Sequence, residues 1–399
     1  MKKRTVKLGD VCEINPSPPR VLGLDTMCTF VPMEAVDDWS GRILSPSQRL
    51  VRDVSKGYTS FSENDVLFAK ITPCMENGKC AIARDLCGGI GFGTTEFHVL
   101  RASECVLPEW LFYYWRFPET RRRAERSMTG SAGQKRVPAS YLETLAIPLP
   151  SLPDQRRIAA MLEQADQLRR TRRYALELSD SFLPATFLKM FGEPVDNPNR
   201  YPISTLEDEL SAIESGFSPV CEGPRTSVDQ WAVLGLGAVS TGVFKPEENK
   251  VLPLNIPPRP DIEVRNEDVL VTRKNTYDLV AACALVRDPP PRLLLPDTIF
   301  RFAIRNRDRL VPAYLWALLT SALFRKRVQS LAGGSAGSMP NISKEKFMSV
   351  KLPIPPLTLQ QRFADLVREH ERLRATQRES LRQAEHLFQT LLHRAFEEN

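Results

Sequence analysis

The sequence predicts an α+β protein: two globular units in tandem, each followed by a long α-helix, with the two helices packed as an antiparallel coiled coil in pseudo-two-fold symmetry. Three observations lead there. The chain repeats itself at an offset of about 203 to 205 residues. Each copy closes on a Pro-rich punctuation, Ile147 to Ala159 in the first and Leu352 to Ala364 in the second. After each punctuation, apolar residues recur at helical spacing for longer than a compact core needs. The expected boundaries are 1–147 and 193–352 for the globular units, and 148–192 and 353–399 for the helical spacers.

The elements follow in chain order. Met1, Lys2, Lys3 and Arg4 are basic but lead into Thr5 to Asp10 instead of an apolar run, so no signal peptide is expected. Glu63 to Lys70 matches Asn266 to Arg273 at an offset of 203 residues, and both segments end on a cation. At the same offset Thr95-Glu96-Phe97 meets Thr298-Ile299-Phe300, each inside an alternating apolar segment that reads as strand. Pro108-Glu109-Trp110-Leu111 then matches Pro312-Ala313-Tyr314-Leu315, where Pro opens an amphipathic helix. That helix is expected to end on Arg121-Arg122-Arg123 in one copy and Arg325-Lys326-Arg327 in the other. Flexible loops follow at Gly130 to Arg136 and Gly334 to Pro340.

The first long helix, from about Asp154 to Phe191, carries its stripe on Ile158, Leu162, Ala165, Leu168, Leu176, Phe182, Leu183 and Phe187. The second repeats it with Phe363, Val367, Leu373, Leu381, Leu387, Phe388 and Leu392. Matching stripes are most economically buried against each other. Pro184 interrupts the first stripe and predicts a kink or break near Leu183. Gly192 to Pro202 stops that helix and starts the second unit.

Composition permits a polyanion partner without demanding one: 54 Lys and Arg face 48 Asp and Glu, a net charge of +6. The eight cysteines form no CxxC pair and no His stands at ligand spacing, which points to free thiols in a reducing cytosol and to no metal site. The longest apolar stretch, Val311 to Phe324, is too short to span a bilayer. Gly88 to Gly93 has the glycines of a nucleotide loop, but Thr95 to Val99 continues as strand where a phosphate site needs a helix. Asp65 and Asp268 sit where turns precede strands. No catalytic constellation emerges, and the chain reads as non-catalytic.

Binding remains. Cations cluster at equivalent places in both copies, and Arg or Lys on helix ends and Gly-rich loops can reach phosphates while Arg, Gln and Asn can read base edges. The candidate DNA contacts are Lys70, Arg121, Arg122, Arg123, Gln134, Lys135 and Arg136 in the first copy. In the second they are Arg273, Lys274, Asn275, Thr276, Arg325, Lys326, Arg327 and Ser338.

The order of these pieces resembles the specificity subunit of Type I restriction–modification systems: a Glu/Asn-Asp-Val-Leu strand, a Thr-x-Phe strand, a Pro-x-x-Leu helix, a Gly-Ser loop, and the punctuation at Pro148 to Ala159 and Pro353 to Ala364 leading into a long helix. The resemblance covers essentially the whole chain. It implies two target recognition domains, each reading one half of a bipartite double-stranded DNA sequence in the cytoplasm, with half-sites about one helical turn, roughly 34 Å, apart. It implies two methyltransferase subunits as partners, which would carry S-adenosylmethionine, and restriction–translocation subunits in the full host-defence complex. This chain itself would hold no cofactor. The competing reading is a two-headed coiled-coil scaffold that binds only proteins.

Overall fold

The computed structural model describes residues 4–17, 23–131, 133–333 and 339–397. The chain divides into two compact units, and the division falls within the long helices. Residues 1–175 and 377–399 form the first unit, and 176–376 form the second.

Both units have the same β framework, laid out by the alternating segments recognised in the sequence. The central sheet of the first unit runs Cys12–Ile14, Phe97–Ala102, Val66–Ala69, Cys80–Ile82, all antiparallel. In the second the same order is filled by Leu210–Ser215, Ile299–Ile304, Val269–Thr272 and Cys283–Leu285. The central strands are buried on both faces, which explains their nearly continuous apolar composition. Asp65 and Asp268 close the turns before them, accepting from the Ser62 and Arg265 amides at 2.7 and 2.8 Å. A second sheet accompanies each: four strands in the first unit, with Met27–Val31 parallel to Ile90–Gly93, and three in the second, with Ala232–Leu234 parallel to Leu293–Leu294.

The helix after the Pro start is two helices. Pro108–Arg116 is followed by Pro118–Arg126, and Pro312–Thr320 by Ala322–Gln329. Phe117 leaves the helical region at φ −69°, ψ 123°, the conformation that a following proline favours. The basic triplets therefore lie inside a second short helix and not at the end of a single long one. Ser321 makes the same turn at φ −62°, ψ 138° with no proline after it, and its hydroxyl donates to the Leu318 carbonyl at 2.9 Å.

The first long helix runs Leu152–Asp180, pauses at Ser181, and resumes as Phe182–Phe191. Pro184 explains the place of the pause, because its ring crowds the carbonyl four residues earlier, that of Asp180. The second long helix, Leu357–Phe396, is 40 residues and about 60 Å long. Within each unit the start of one helix lies beside the end of the other, so the helices run antiparallel. In the first unit Leu162 and Ala165 share a core with Phe388, Leu392 and Phe396. In the second Phe363 and Val367 share one with Leu183, Phe187 and Phe191. Trp110 meets Phe396 at 4.6 Å between ring centres, and its counterpart Tyr314 meets Phe191 at 4.9 Å.

The punctuation is a joint. Gln155 is fully buried; its Oε1 accepts from the Leu107 amide at 2.9 Å and its Nε2 donates to the carbonyls of Cys105 and Pro150, both at 3.0 Å. Gln360 repeats all three bonds, with the Val311 amide and the Arg309 and Pro355 carbonyls at 3.0, 3.0 and 2.8 Å. The Trp110 indole N–H donates to the Pro148 carbonyl at 3.0 Å, and the Tyr314 hydroxyl to the Pro353 carbonyl at 2.8 Å. These prolines leave carbonyls without a neighbouring amide partner, and the buried Gln, Trp and Tyr satisfy them. No helix among the described residues is long and apolar enough to cross a membrane.

Candidate nucleic-acid interface

In each unit the strand that ends in Ala69 or Thr272 runs into a loop that meets the Gly-rich segment. Lys70 and Arg273 occupy equivalent places: each backbone carbonyl accepts an amide from the returning chain, Val137 onto Lys70 and Ile342 onto Arg273, both at 2.9 Å. The Thr72 amide donates to the Lys135 carbonyl at 3.0 Å and the Asn275 amide to the Pro340 carbonyl at 3.3 Å. The first Gly-rich segment is a hairpin tip closed by a bridge between Thr129 and Arg136, and a bridge between Gly333 and Asn341 stands at the equivalent place in the second unit. Gly130 at φ 122° and Gly133 at φ 80° supply the backbone geometry of the first tip. Residues 334–338 of the second, including the candidate Ser338, lie outside the described residues.

The helices bearing the basic triplets flank these loops. Arg122 is exposed and pairs with Glu119 at 2.8 Å, Arg123 is half-buried, and Lys326 and Arg327 are exposed. Lys70 is half-buried; Gln134, Lys135, Lys274 and Thr276 are exposed. Together these place polar and cationic side chains on a strand-end loop, a returning segment and a basic helix in each unit.

Several candidates have other work. Arg121 turns inward, donating to the Arg116 carbonyl at 2.8 Å and packing on Gly78, and burial lowers its pKa. Arg325, its counterpart, donates to the Asp278 carbonyl at 2.8 Å. The first cation of each triplet thus braces the loop of its unit and is not a projecting contact. Asn275 is buried; its Nδ2 donates to Ser240 Oγ at 3.1 Å and its Oδ1 accepts the Thr276 amide at 2.8 Å, so it shapes the loop. Arg136 forms a two-pronged pair with Glu96 at 2.9 and 2.8 Å, and the bond to Arg136 holds the Glu96 pKa below its ordinary value. Arg273 lies 3.9 Å from Asp297 and over the Phe300 ring at 5.5 Å. The common reason is that a long cation near a carbonyl or carboxylate of its own loop satisfies it locally, which residue type alone does not reveal.

Sequence reasoning passed over Glu76 and Arg126. They line, with Arg122, Glu125, Met128 and Lys135, a groove of about 310 Å³ in the first unit. It also missed the helix anchor of that unit. Asp166, buried, pairs with Arg169 at 2.5 Å and Arg170 at 3.3 Å, and Arg169 lies between the Trp39 and Phe388 rings at 4.4 and 4.3 Å. Burial pushes the neighbouring Arg116 down to about 10, with Arg169 adding to the effect. The only sequence signal for this anchor was a polar pair on the inward stripe at Asp166 and Arg169.

Residues 2–178 match the family model described as Type I restriction modification DNA specificity domain. The Type I restriction enzyme EcoEI specificity subunit of Escherichia coli is 28% identical over 449 aligned residues, covering 89% of this chain and 75% of that protein. Over residues 2–178 the chain is thus similar to the DNA specificity domain of Type I restriction–modification systems. The EcoAI specificity subunit of the same organism is 38% identical over 236 residues, covering 56% of this chain and 39% of that one. The fold is shared with the Type-I restriction-modification system S subunit from M. genitalium, at a TM-score of 0.61 over 100% of this chain and 97% of that one, with 13% identity.

Proposed function

We propose that this chain is the sequence-recognition subunit of a Type I restriction–modification complex, in which each unit reads one half of a bipartite duplex target. The observation that carries this reading is that, among the described residues, both units bring a strand-end loop, a returning segment and a basic helix together with equivalent backbone hydrogen bonds and different side chains. Lys135 faces Pro340 across the repeat, and Gln134 and Lys135 have no like residue in the described part of the second unit's returning segment. A constant backbone presents side chains at the same place, and unlike side chains select unlike bases. Lys70, Arg122, Lys135, Lys274, Lys326 and Arg327 supply phosphate contacts, and Gln134 and Thr276 face the base edges.

In this proposal the reading domains span 1–147 and 193–352, and the spacers 148–192 and 353–399 set half-site separation and dock two methyltransferase subunits. Those subunits bind S-adenosylmethionine and supply adenine methylation; restriction subunits join the full complex in the cytoplasm, and this chain does no chemistry itself. Mobility-shift titration of the chain across salt, alone and with the methyltransferase subunit, tests it. Selective binding with a steep salt dependence is expected, and reversing Arg122 or Lys326 lowers the salt slope by about 1 each on every sequence. Changing Gln134 shifts preference in one half-site only. No affinity for any duplex at low salt, with or without the partner, sinks the proposal in favour of the protein-only scaffold.

A further inference from the structure

The groove beside the first hairpin contains an arrangement that phosphate binding does not explain. Arg122, Arg126 and Lys135 make it cationic, yet Glu76 and Glu125 also line it. Glu76 is half-buried, and its Oε1 accepts the Thr72 hydroxyl at 2.9 Å. Thr72 is in turn fixed by the hydrogen bond from its backbone N–H to the carbonyl of Lys135, a residue of the hairpin. One carboxylate oxygen is thus oriented from behind by a residue tied to the hairpin, in a groove whose other walls attract DNA.

At the positions equivalent to Glu76 and Glu125 the second unit has Leu279 and Gln329, and Gln329 donates to the Asp278 and Val280 carbonyls at 3.2 and 3.1 Å, tying its loop to its helix. The two carboxylates at these positions are therefore particular to the first unit among the described residues. A carboxylate placed against a polyanion is repelled by phosphates and is stabilised only where it meets a donor. In the major groove the donors are the exocyclic amino groups of cytosine (N4) and adenine (N6).

Building on the function proposed above, we infer that Glu76 is a specificity-determining residue of the first unit, accepting a hydrogen bond from an exocyclic amino group of cytosine or adenine in its half-site, with Thr72 as its positioning residue. The carboxylate gives affinity only where that amino group is present and rejects the keto oxygen of guanine or thymine at the same place.

The test is selection of duplexes from a library randomised in both half-sites, using the full chain alone and with the methyltransferase subunit, for the wild type, Glu76→Gln, Glu76→Ala and Thr72→Val. The wild type is expected to select an amino-bearing base at one position of one half-site. Glu76→Ala should reduce that preference by about tenfold or more while binding non-target DNA more tightly. Glu76→Gln, which can also donate, should accept keto bases there, and Thr72→Val should weaken the preference to a lesser extent. The unchanged preference of the other half-site reports that the variants are folded. If the wild type selects a sequence and both Glu76 variants select the same one with equal strength, this inference is overturned while the proposed function stands. A wild type without sequence preference would overturn both.

Discussion

The two units differ least where a side chain binds backbone and most where side chains bind each other. Gln155 and Gln360 make the same three bonds to amides and carbonyls, and an indole in one unit and a phenol in the other donate to the same proline carbonyl. A carbonyl needs only a donor in the right place, so Trp110 and Tyr314 are interchangeable in that role. The charge network that anchors the long helices has diverged, although an Asp–Arg pair beside the central strand recurs as Asp65–Arg101 at 2.7 Å and Asp268–Arg301 at 3.2 Å. Asp166 is sealed in the first unit with Arg169, Arg170 and Arg116 around it, whereas its counterpart Glu371 keeps a 39% exposed side chain and meets Arg287 at 3.0 Å, an arginine that also holds Glu267 at 2.9 Å. The lesson is that the repeat preserves its joints and varies its anchors and rims.

The largest expected effect tests the anchors. Asp166→Ala leaves Arg169 buried without its counter-charge and should destabilise the first unit by about 3–5 kcal/mol, as breaking a buried pair does. Glu371→Ala should cost about 1 kcal/mol, because Arg287 retains Glu267 and water reaches the site. Equal losses in denaturant melts of the two variants would contradict the contrast between a sealed and an open anchor.

The joints should behave alike. Gln155→Ala and Gln360→Ala each strand one buried amide and two carbonyls, so each should lose about 2–3 kcal/mol in its own unit, read by amide exchange of that unit's central strands. A smaller change, Tyr314→Phe, removes only the bond to the Pro353 carbonyl and should cost about 1 kcal/mol. A neutral Tyr314→Phe would mean that ring packing against Phe191, and not the hydroxyl, makes that joint.

The finest difference lies in pH. His98 in the first unit is buried, with Nε2–H donating to the Val137 carbonyl at 2.8 Å and Nδ1 facing Asn15 at 3.0 Å. The strand register places Phe300 at the equivalent position of the second unit, opposite Val271 as His98 is opposite Phe68, which corrects by one residue the sequence match of Phe97 with Phe300. Burial lowers the His98 pKa below its ordinary 6.5. The folded state therefore binds this proton less readily than the unfolded one, so His98 contributes its stability fully above about pH 6.5 and loses it as pH falls below that value. Acidification from pH 7 to 5.5 should loosen the first unit's exchange protection at His98 and Val137, and His98→Phe should flatten that dependence. A pH response undiminished in His98→Phe would assign it to other groups.

The amino-acid pattern carried much of the frame. Offsets of 203 to 205 residues placed equivalent strands to within one residue, and helices, loops and punctuation with them, because apolar periodicity and proline spacing are local properties that survive divergence. Pro184 told where the first long helix pauses, and Gly130 and Gly133 told where the first hairpin turns. The candidate interface was legible as a region but not side chain by side chain. Arg121, Asn275 and Arg136 look as available in sequence as Arg122, Gln134 and Lys135; only folding brings Gly78, Ser240 and Glu96 beside them.

Two further features emerged only in the structure. The break at Ser321 occurs without the proline that marks its counterpart at Pro118. Glu76 reaches the groove of Arg122, Arg126 and Lys135 only because a loop, a helix and a hairpin distant in sequence converge there. Sequence by itself determined the repeat and most of its elements, since these rest on period and local backbone preference. Which charged groups remain free to meet DNA was decided in three dimensions, since a charge is spent on whatever carbonyl or carboxylate the fold brings within about 3 Å of it.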